Sequence, residues 1–236
     1  MFDQDILRSR GTAQDALFDQ GLRQHMLRVF NYMASGVLLT GIVALAVAST
    51  PALHPVLFGS PLKWVVMLAP LAFVFFFSFR IDRMSAASAQ MAYWAFAAVM
   101  GLSLASVFLV FTGVSIARTF FIAGTMFATM SLWGYTTKRD LTRFGSFLIM
   151  GAIGLMIASL VNLFLGSSVL QFVVSIVGVL VFTGLTAWDT QNIKSIYAAN
   201  LGREANDKMA VFGALSLYLN FVNIFQLLLS LTGERE

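Results

Sequence analysis

The sequence predicts an all-α membrane protein with seven transmembrane helices and a cytoplasmic N-terminus. Composition, a series of long apolar segments, and the placement of lysine and arginine carry this prediction. Of the 236 residues, 58% are hydrophobic and 11% are charged, whereas soluble domains average roughly 45–50% apolar and about 25% charged residues. The mean hydropathy of +0.82 agrees. The charged residues are too few to cover a protein surface that faces water. Much of the surface is therefore expected to face lipid.

Seven apolar segments follow one another along the chain: 29–48, 64–79, 89–112, 119–135, 144–165, 169–188 and 209–231. A helix that crosses the hydrocarbon core needs about 20 mainly apolar residues. The second and fourth segments are short, so we expect both to extend into their flanks. Between the fifth and sixth lie only Gly166, Ser167 and Ser168, and so short a link predicts a tight helical hairpin.

The positions of lysine and arginine predict the orientation, because cytoplasmic loops carry an excess of both. With the N-terminus inside, the outer segments hold Lys63, Arg118 and Arg235, and the inner segments hold the other twelve of the 15 basic residues. We therefore expect a cytoplasmic N-terminal tail at 1–28 and a seven-helix transmembrane domain at 29–236. Residues 12–27 of the tail form either an interfacial helix or a loosely ordered stretch.

Several functional classes are excluded by residue type. The chain has no cysteine, so disulfides, thiolate metal sites and cysteine nucleophiles are absent. His25 and His54 both lie outside the apolar segments, which excludes a histidine metal site or dyad within the membrane. With no nucleophile–base pair in the spans, neither an enzyme nor a bound cofactor is expected. The basic residues fit membrane topology better than nucleic-acid binding.

One acidic residue stands apart from the other ten, which all lie in tails or links. Asp189 ends the apolar run VVSIVGVLVFTGLTAW and is followed by the helix-compatible TQNIKSIY. It is therefore predicted to lie one or two turns below the cytoplasmic surface. An ionisable group within a membrane is taken as functional by default, and the alternative is an acid that reaches the headgroups. Thr190 and Gln191 are expected to form local hydrogen bonds.

Candidate partners for this carboxyl group lie on the last and the second helices. Asn220 and Asn223 are three residues apart and so share one helix face. An asparagine amide both donates and accepts, so it can bond to Asp189 in either protonation state. Arg80 and Arg83, at the inner end of the second helix, are cationic candidates. The alternative for both arginines is a purely topogenic role.

Three stretches carry a family resemblance: GYTTKRDL (134–141), TGLTAWDTQNIK (183–194) and ALSLYLNFVNIF (214–225). They resemble the bacterial branch of the Bax inhibitor-1 family, over about 29–231 of the chain. The resemblance implies a bacterial cytoplasmic membrane protein whose last helix is enclosed by the other six. It also implies a pH-sensitive calcium leak, with the bilayer and calcium or other cations as partners. Some bacterial relatives resemble modulators of the membrane protease FtsH, so a non-conducting regulatory partner is the alternative.

The family's mechanism rests on two aspartates, in helices six and seven, with an arginine of helix two as an alternative partner. Matched to this sequence, the helix-six aspartate is Asp189, and the arginine falls on Arg83 or Arg80. The helix-seven position is occupied by Asn220, which is a departure from the family pattern. Adjacent carboxylates repel when both are ionised, and an Asp–Asn pair lacks this repulsion. Any pH sensing and any transient calcium contact would then depend on Asp189 alone, with one hard oxygen ligand fewer.

Overall fold

A computed structural model describes residues 2–80, 83–197 and 202–235, with the side chains of 2–17 and of Ser78 outside the description. These residues are almost entirely helical, which confirms the predicted fold class. The helices are α1 (Phe2–Ala48), α2 (His54–Leu57), α3 (Leu62–Arg80), α4 (Ala86–Leu104), α5 (Gly113–Thr136), α6 (Thr142–Leu165), α7 (Ser168–Ile196) and α8 (Gly202–Thr232).

The predicted spans correspond to these helices one by one. Within the described residues, six helices are long and apolar enough to cross a membrane, and a bent pair brings the count up to seven. That pair joins Pro51–Leu57 to Leu62–Phe77 at an angle of 82°. The short second segment of the prediction is therefore part of a broken span. The break contains Gly59 and Pro61, residue types that interrupt helices because one is flexible and the other lacks an N–H donor.

The first helix is much longer than its apolar segment. α1 runs unbroken from Phe2 to Ala48 over 47 residues, which is about 70 Å at 1.5 Å per residue. The hydrocarbon core is about 30 Å thick, so α1 extends well beyond it. The part of α1 before Val29 includes His25, which is buried. The sequence had placed this histidine outside the apolar segments.

The predicted hairpin between the fifth and sixth segments is confirmed. α6 ends at Leu165, and Gly166 has φ 60°, the left-handed conformation that glycine adopts without strain. Ser167 caps α7 by accepting from the Leu170 amide at 3.2 Å. The Ser167 amide in turn donates to the side chain of Asn162 at 3.0 Å. Local capping thus satisfies the backbone groups that a two-residue turn exposes.

The last helix is the most enclosed. α8 packs against α1, α4, α5 and α7, and 50% of its most apolar window is buried, compared with 11% for α6. α3 and α6 lie on the remaining side, where the space beside α8 is not filled by side chains. The candidate site lies in that space. We call the end of the bundle where α7 finishes and α8 begins the basic end, and the charge pattern predicts that it is cytoplasmic.

Candidate functional site

The carboxyl group of Asp189 is held by the last helix. Asp189 lies seven residues before the end of α7 and is 8% exposed. Its Oδ2 accepts from Ser216 Oγ at 2.8 Å and from Asn220 Nδ2 at 2.6 Å. These donors are four residues apart on α8, so they lie on one face. Among the described residues none donates to Oδ1, so the second oxygen keeps room for a proton or a cation.

A cavity of about 680 Å³ adjoins this carboxyl group. It lies between α3 and α6 on one side and α7 and α8 on the other, with α4 contributing at one edge. Most of the wall is apolar, but α8 presents a polar stripe to it: Ser216, Asn220, Asn223 and Gln226. This stripe covers about 15 Å along the helix axis. Among the described wall residues, Asp189 is the one that ionises.

The other predicted site residues are placed differently. Asn223 lines the same cavity, but its amide donates to the carbonyl of Leu219 in its own helix at 2.8 Å. Arg80 and Arg83 are both exposed. Within the described part of the chain, neither forms an ion pair with Asp189. The structure thus joins Asp189 to Asn220 and leaves both arginines apart from them.

Gln191 does not form the local hydrogen bonds that were expected of it. Its Oε1 accepts from the Leu141 amide at 2.8 Å, and its Nε2 donates to the Arg139 carbonyl at 2.8 Å. The side chain therefore fastens the α5–α6 link to α7, because an amide can satisfy an N–H and a C=O together. Thr190 does bond locally, to the carbonyl of Thr186 at 2.8 Å, as predicted.

The end of α5, just before this link, contacts α7 at two further points. Lys194 donates to the carbonyl of Tyr135 at 3.0 Å. A side chain at Gly134 would collide with the backbone of Ala187, so a glycine there permits α5 and α7 to approach closely. All three sequence stretches that carried the resemblance therefore meet around α7. The stretch 183–194 is part of α7 itself, 134–141 is bonded to its end, and 214–225 supplies the donors to its carboxyl group.

Sequence reasoning missed Ser216, although its position one turn before Asn220 was a usable signal. It also missed a polar cluster at the opposite end of α8, one turn beyond Gln226. There Asn162 donates to Gln171 at 3.3 Å, and Gln171 donates to Ser230 at 3.2 Å. These residues come from α6, α7 and α8, so spacing along any one helix could not reveal the cluster. It continues the polar stripe toward the far end of the bundle.

Comparison with known proteins decides the family. The profile of the family described as "Inhibitor of apoptosis-promoting Bax1" matches residues 22–236. The chain belongs to the Bax inhibitor-1 family. It is 46% identical to protein RP147 of Rickettsia prowazekii over 225 residues, which cover 95% of each chain. It is also 42% identical to the inner membrane protein YbhL of Escherichia coli, with 92% of this chain and 94% of the relative covered.

The family assignment covers all of α3 to α8 and most of α1. A third relative, a membrane protein of Streptococcus pyogenes, is 30% identical over 92% of this chain. Together with the apolar helices, these relatives make the chain a multi-pass protein of the bacterial cell membrane. This member of the Bax inhibitor-1 family has Asn220 beside the buried Asp189. Among the described residues, its candidate site therefore contains one carboxyl group.

Proposed function

We propose that the protein is a passive cation leak whose gate is the Asp189 carboxyl group. The observation that carries this proposal is the position of Asp189 at the wall of a 680 Å³ cavity, bonded through one oxygen to α8. Burial of a carboxylate within a membrane costs free energy, so such groups usually have hydrogen-bonding partners and a function. Here two donors hold it while its second oxygen has no donor among the described residues.

The oxygen atoms beside the cavity suit a hard cation such as calcium. Calcium is bound by carboxylate, carbonyl and amide oxygens, and the polar stripe offers such groups for about 15 Å along α8. One carboxylate with neutral neighbours makes a weak and transient site. Weak binding suits passage, because a conducted ion must also be able to leave.

Protons compete with cations for the same oxygen. A proton on Oδ1 neutralises Asp189 while the bonds from Ser216 and Asn220 to Oδ2 persist. The described residues that line the cavity include no other titratable group, and Arg80 and Arg83 are exposed. The pH dependence of the leak is therefore assigned to Asp189 alone.

A flux assay in liposomes tests this proposal. Purified protein is reconstituted with an entrapped calcium dye, and external calcium is added at pH 5 and at pH 8. Wild type is expected to admit calcium at rates that differ between the two pH values. Asp189→Asn removes the titrating group without changing size, so its rate is expected to be the same at both. Asp140→Asn is the matched control, because this aspartate lies in the α5–α6 link and is exposed; it should behave as wild type.

Two results would contradict the leak. One is a dye signal that stays flat at both pH values although the reconstituted protein retains its helical circular dichroism. The other is a pH-dependent flux that is the same in Asp189→Asn as in wild type. A further variant, Asn220→Asp, restores the two-carboxylate pattern of the family. It is expected to change the pH at which flux switches, since two adjacent carboxylates repel and together hold one proton.

The length of α1 favours a second candidate, a regulatory partner of another membrane protein such as a protease. α1 begins at Phe2, 27 residues before the apolar segment that starts at Val29. Those residues amount to about 40 Å of helix, enough to dock on a neighbour. Removal of residues 1–20 should then abolish co-purification with that neighbour without affecting flux. Unchanged co-purification would count against this candidate.

A further inference from the structure

The seam between α1 and α5 contains two apolar hollows, one in each half of the bundle. Both helices pack on α8, and the hollows lie between them on the outer surface. The hollow at the basic end has a volume of about 440 Å³, and the one at the opposite end about 310 Å³. In the basic-end hollow, α1 and α5 contribute a largely apolar wall that includes Met26, Leu27, Phe30, Phe127, Ala128 and Leu132.

One cation lines the basic-end hollow, and a second contacts one of the lining residues. Arg23 lines it and is exposed. Lys194, from the end of α7, has its ammonium 3.0 Å from the carbonyl of Tyr135 and 4.9 Å from the centre of the Tyr135 ring. Tyr135 itself lines the hollow. Within the described residues neither cation forms an ion pair, not even with Asp19, one turn before Arg23.

The wall also contains a buried hydroxyl group without a partner. Ser131 is 4% exposed, and its Oγ has no hydrogen bond in the described part of the chain. An unpaired hydroxyl in apolar surroundings is unfavourable. Ser131 lies one turn from Tyr135, on the face of α5 that lines the hollow. A ligand in the hollow that carries an ester oxygen would supply the acceptor that this hydroxyl lacks.

We propose that the basic-end hollow binds one anionic diacyl phospholipid, with an acyl chain in the hollow and the phosphate between Arg23 and Lys194. An α-helix is about 10 Å wide with its side chains, which is too bulky for a 440 Å³ hollow. A flexible acyl chain is the surrounding molecule that fits. The lining Arg23 and the Lys194 ammonium that contacts the lining Tyr135 are complementary to a phosphate.

The hollow at the opposite end serves as a control for the effect of the charged side chains. Its wall is formed by α1, α5 and α8 and by the turn after α4, and no charged side chain is found among its described lining residues. An acyl chain can enter either hollow, but a preference for anionic headgroups is expected at the basic end alone. Ala128 and Ala117 are both exposed on α5, one in each hollow. A phenylalanine at either position therefore fills one hollow and leaves the other open.

Native mass spectrometry of the detergent-purified full chain tests the proposal. The probes are phosphatidylglycerol and phosphatidylcholine with identical acyl chains. Wild type is expected to bind phosphatidylglycerol several-fold more tightly than phosphatidylcholine. Arg23→Gln should weaken phosphatidylglycerol binding about 5-fold, the effect of one basic residue near an anionic headgroup, and should leave phosphatidylcholine unchanged. Ala128→Phe should abolish the preference, and Ala117→Phe should retain it.

Each possible outcome supports or overturns the proposal. Equal affinity of wild type for the two lipids would overturn it, and so would an Arg23→Gln variant with the full preference. Loss of the preference in Ala117→Phe as well as in Ala128→Phe would place the anionic site elsewhere. Each variant is first compared with wild type by size-exclusion profile and helical circular dichroism, and Lys194→Gln repeats the headgroup test from a second helix.

Discussion

The two sides of α8 use polar groups in opposite ways. The cavity face consists of Ser216, Asn220 and Asn223, which line open space beside Asp189. The closed face is centred on Tyr218, which is fully buried. There the tyrosine hydroxyl and Thr40 Oγ1 are 2.6 Å apart, and Thr40 donates to the Ala97 carbonyl at 2.8 Å. Both faces place hydroxyl or amide groups inside the bundle, but the Tyr218 side chain is enclosed by its neighbours, whereas Ser216, Asn220 and Asn223 line the cavity.

This difference separates groups that stabilise the bundle from groups available to a ligand. On the closed face, rings of Tyr93 and Phe96 pack edge-on against Tyr218, with centroids 6.2 and 5.5 Å away. A polar group enclosed in this way specifies packing, because no water or ion reaches it. On the cavity face, a side chain can change its partner without displacing a neighbour.

The largest expected effect lies on the closed face. Tyr218→Ala removes a fully buried ring and leaves a void between α1, α4 and α8. Truncation of a large buried aromatic side chain typically costs about 3–5 kcal/mol, and a similar loss of unfolding free energy is expected here. Phe212→Ala on the same helix is the control, because Phe212 is 46% exposed. Reversible unfolding in mixed micelles measures both, and equal losses would contradict the distinction between the faces.

The sequence predicted the bundle well, because length and polarity of a spanning helix are local properties. Each apolar segment corresponds to a helix. The turn at Gly166 was predicted because the link between the fifth and sixth segments is so short. The break near Gly59 and Pro61 was not predicted, although both residues disfavour a continuous helix. Its angle depends on how α3 packs. The continuous helix of α1 was also left open, since polar residues at 12–27 give no periodic signal.

Part of the candidate site was accessible from the sequence as well. Asp189 stood out as a lone acid at the end of an apolar run, and Asn220 followed from its position on the last helix and from the resemblance. The contacts of Gln191 were not accessible, because they join a helix to a link some 50 residues away in the chain. Contacts between residues so far apart in the sequence depend on how the helices pack. The spacing of residues along a single helix does not predict them. The exposed positions of Arg80 and Arg83 depend on packing in the same way.

A smaller effect is expected on the cavity face and distinguishes its two asparagines. Asn220→Leu removes the amide that donates to Asp189, and a buried acceptor that loses a partner costs about 1–3 kcal/mol. Asn223→Leu removes an amide that bonds only to its own helix backbone at Leu219, so a loss below about 1 kcal/mol is expected. Both are measured in the same micelle assay. Equal losses for the two variants would mean that the bond to Asp189 contributes nothing special to the cavity face.

The smallest effect concerns the exposed carboxyl group of Asp140, which lies on neither face of α8. Its protonation bears on how a pH-dependent flux is interpreted. Asp140 accepts hydrogen bonds from the Thr142 hydroxyl at 2.6 Å and from the Thr142 amide at 2.9 Å. The bond from the hydroxyl has the largest effect and the bond from the amide the next largest. Together they hold the pKa of Asp140 below its ordinary value. Because the folded-state pKa is the lower one, the stabilisation is fully present above the unfolded value of about 3.9 and is lost as pH falls below it.

Asp140 therefore stays ionised between pH 5 and pH 8 and cannot cause a change of flux in that window. Thr142→Ala is expected to bring the pKa of Asp140 back toward about 3.9, whereas Thr142→Ser retains the hydroxyl and the low pKa. The carboxyl carbon shift of Asp140 in an NMR titration measures both variants. If Asp140 of the wild type titrates above pH 5, the aspartate outside the membrane competes with Asp189 as the sensor. A titration well below pH 4 excludes Asp140 as the source of a pH response between pH 5 and pH 8.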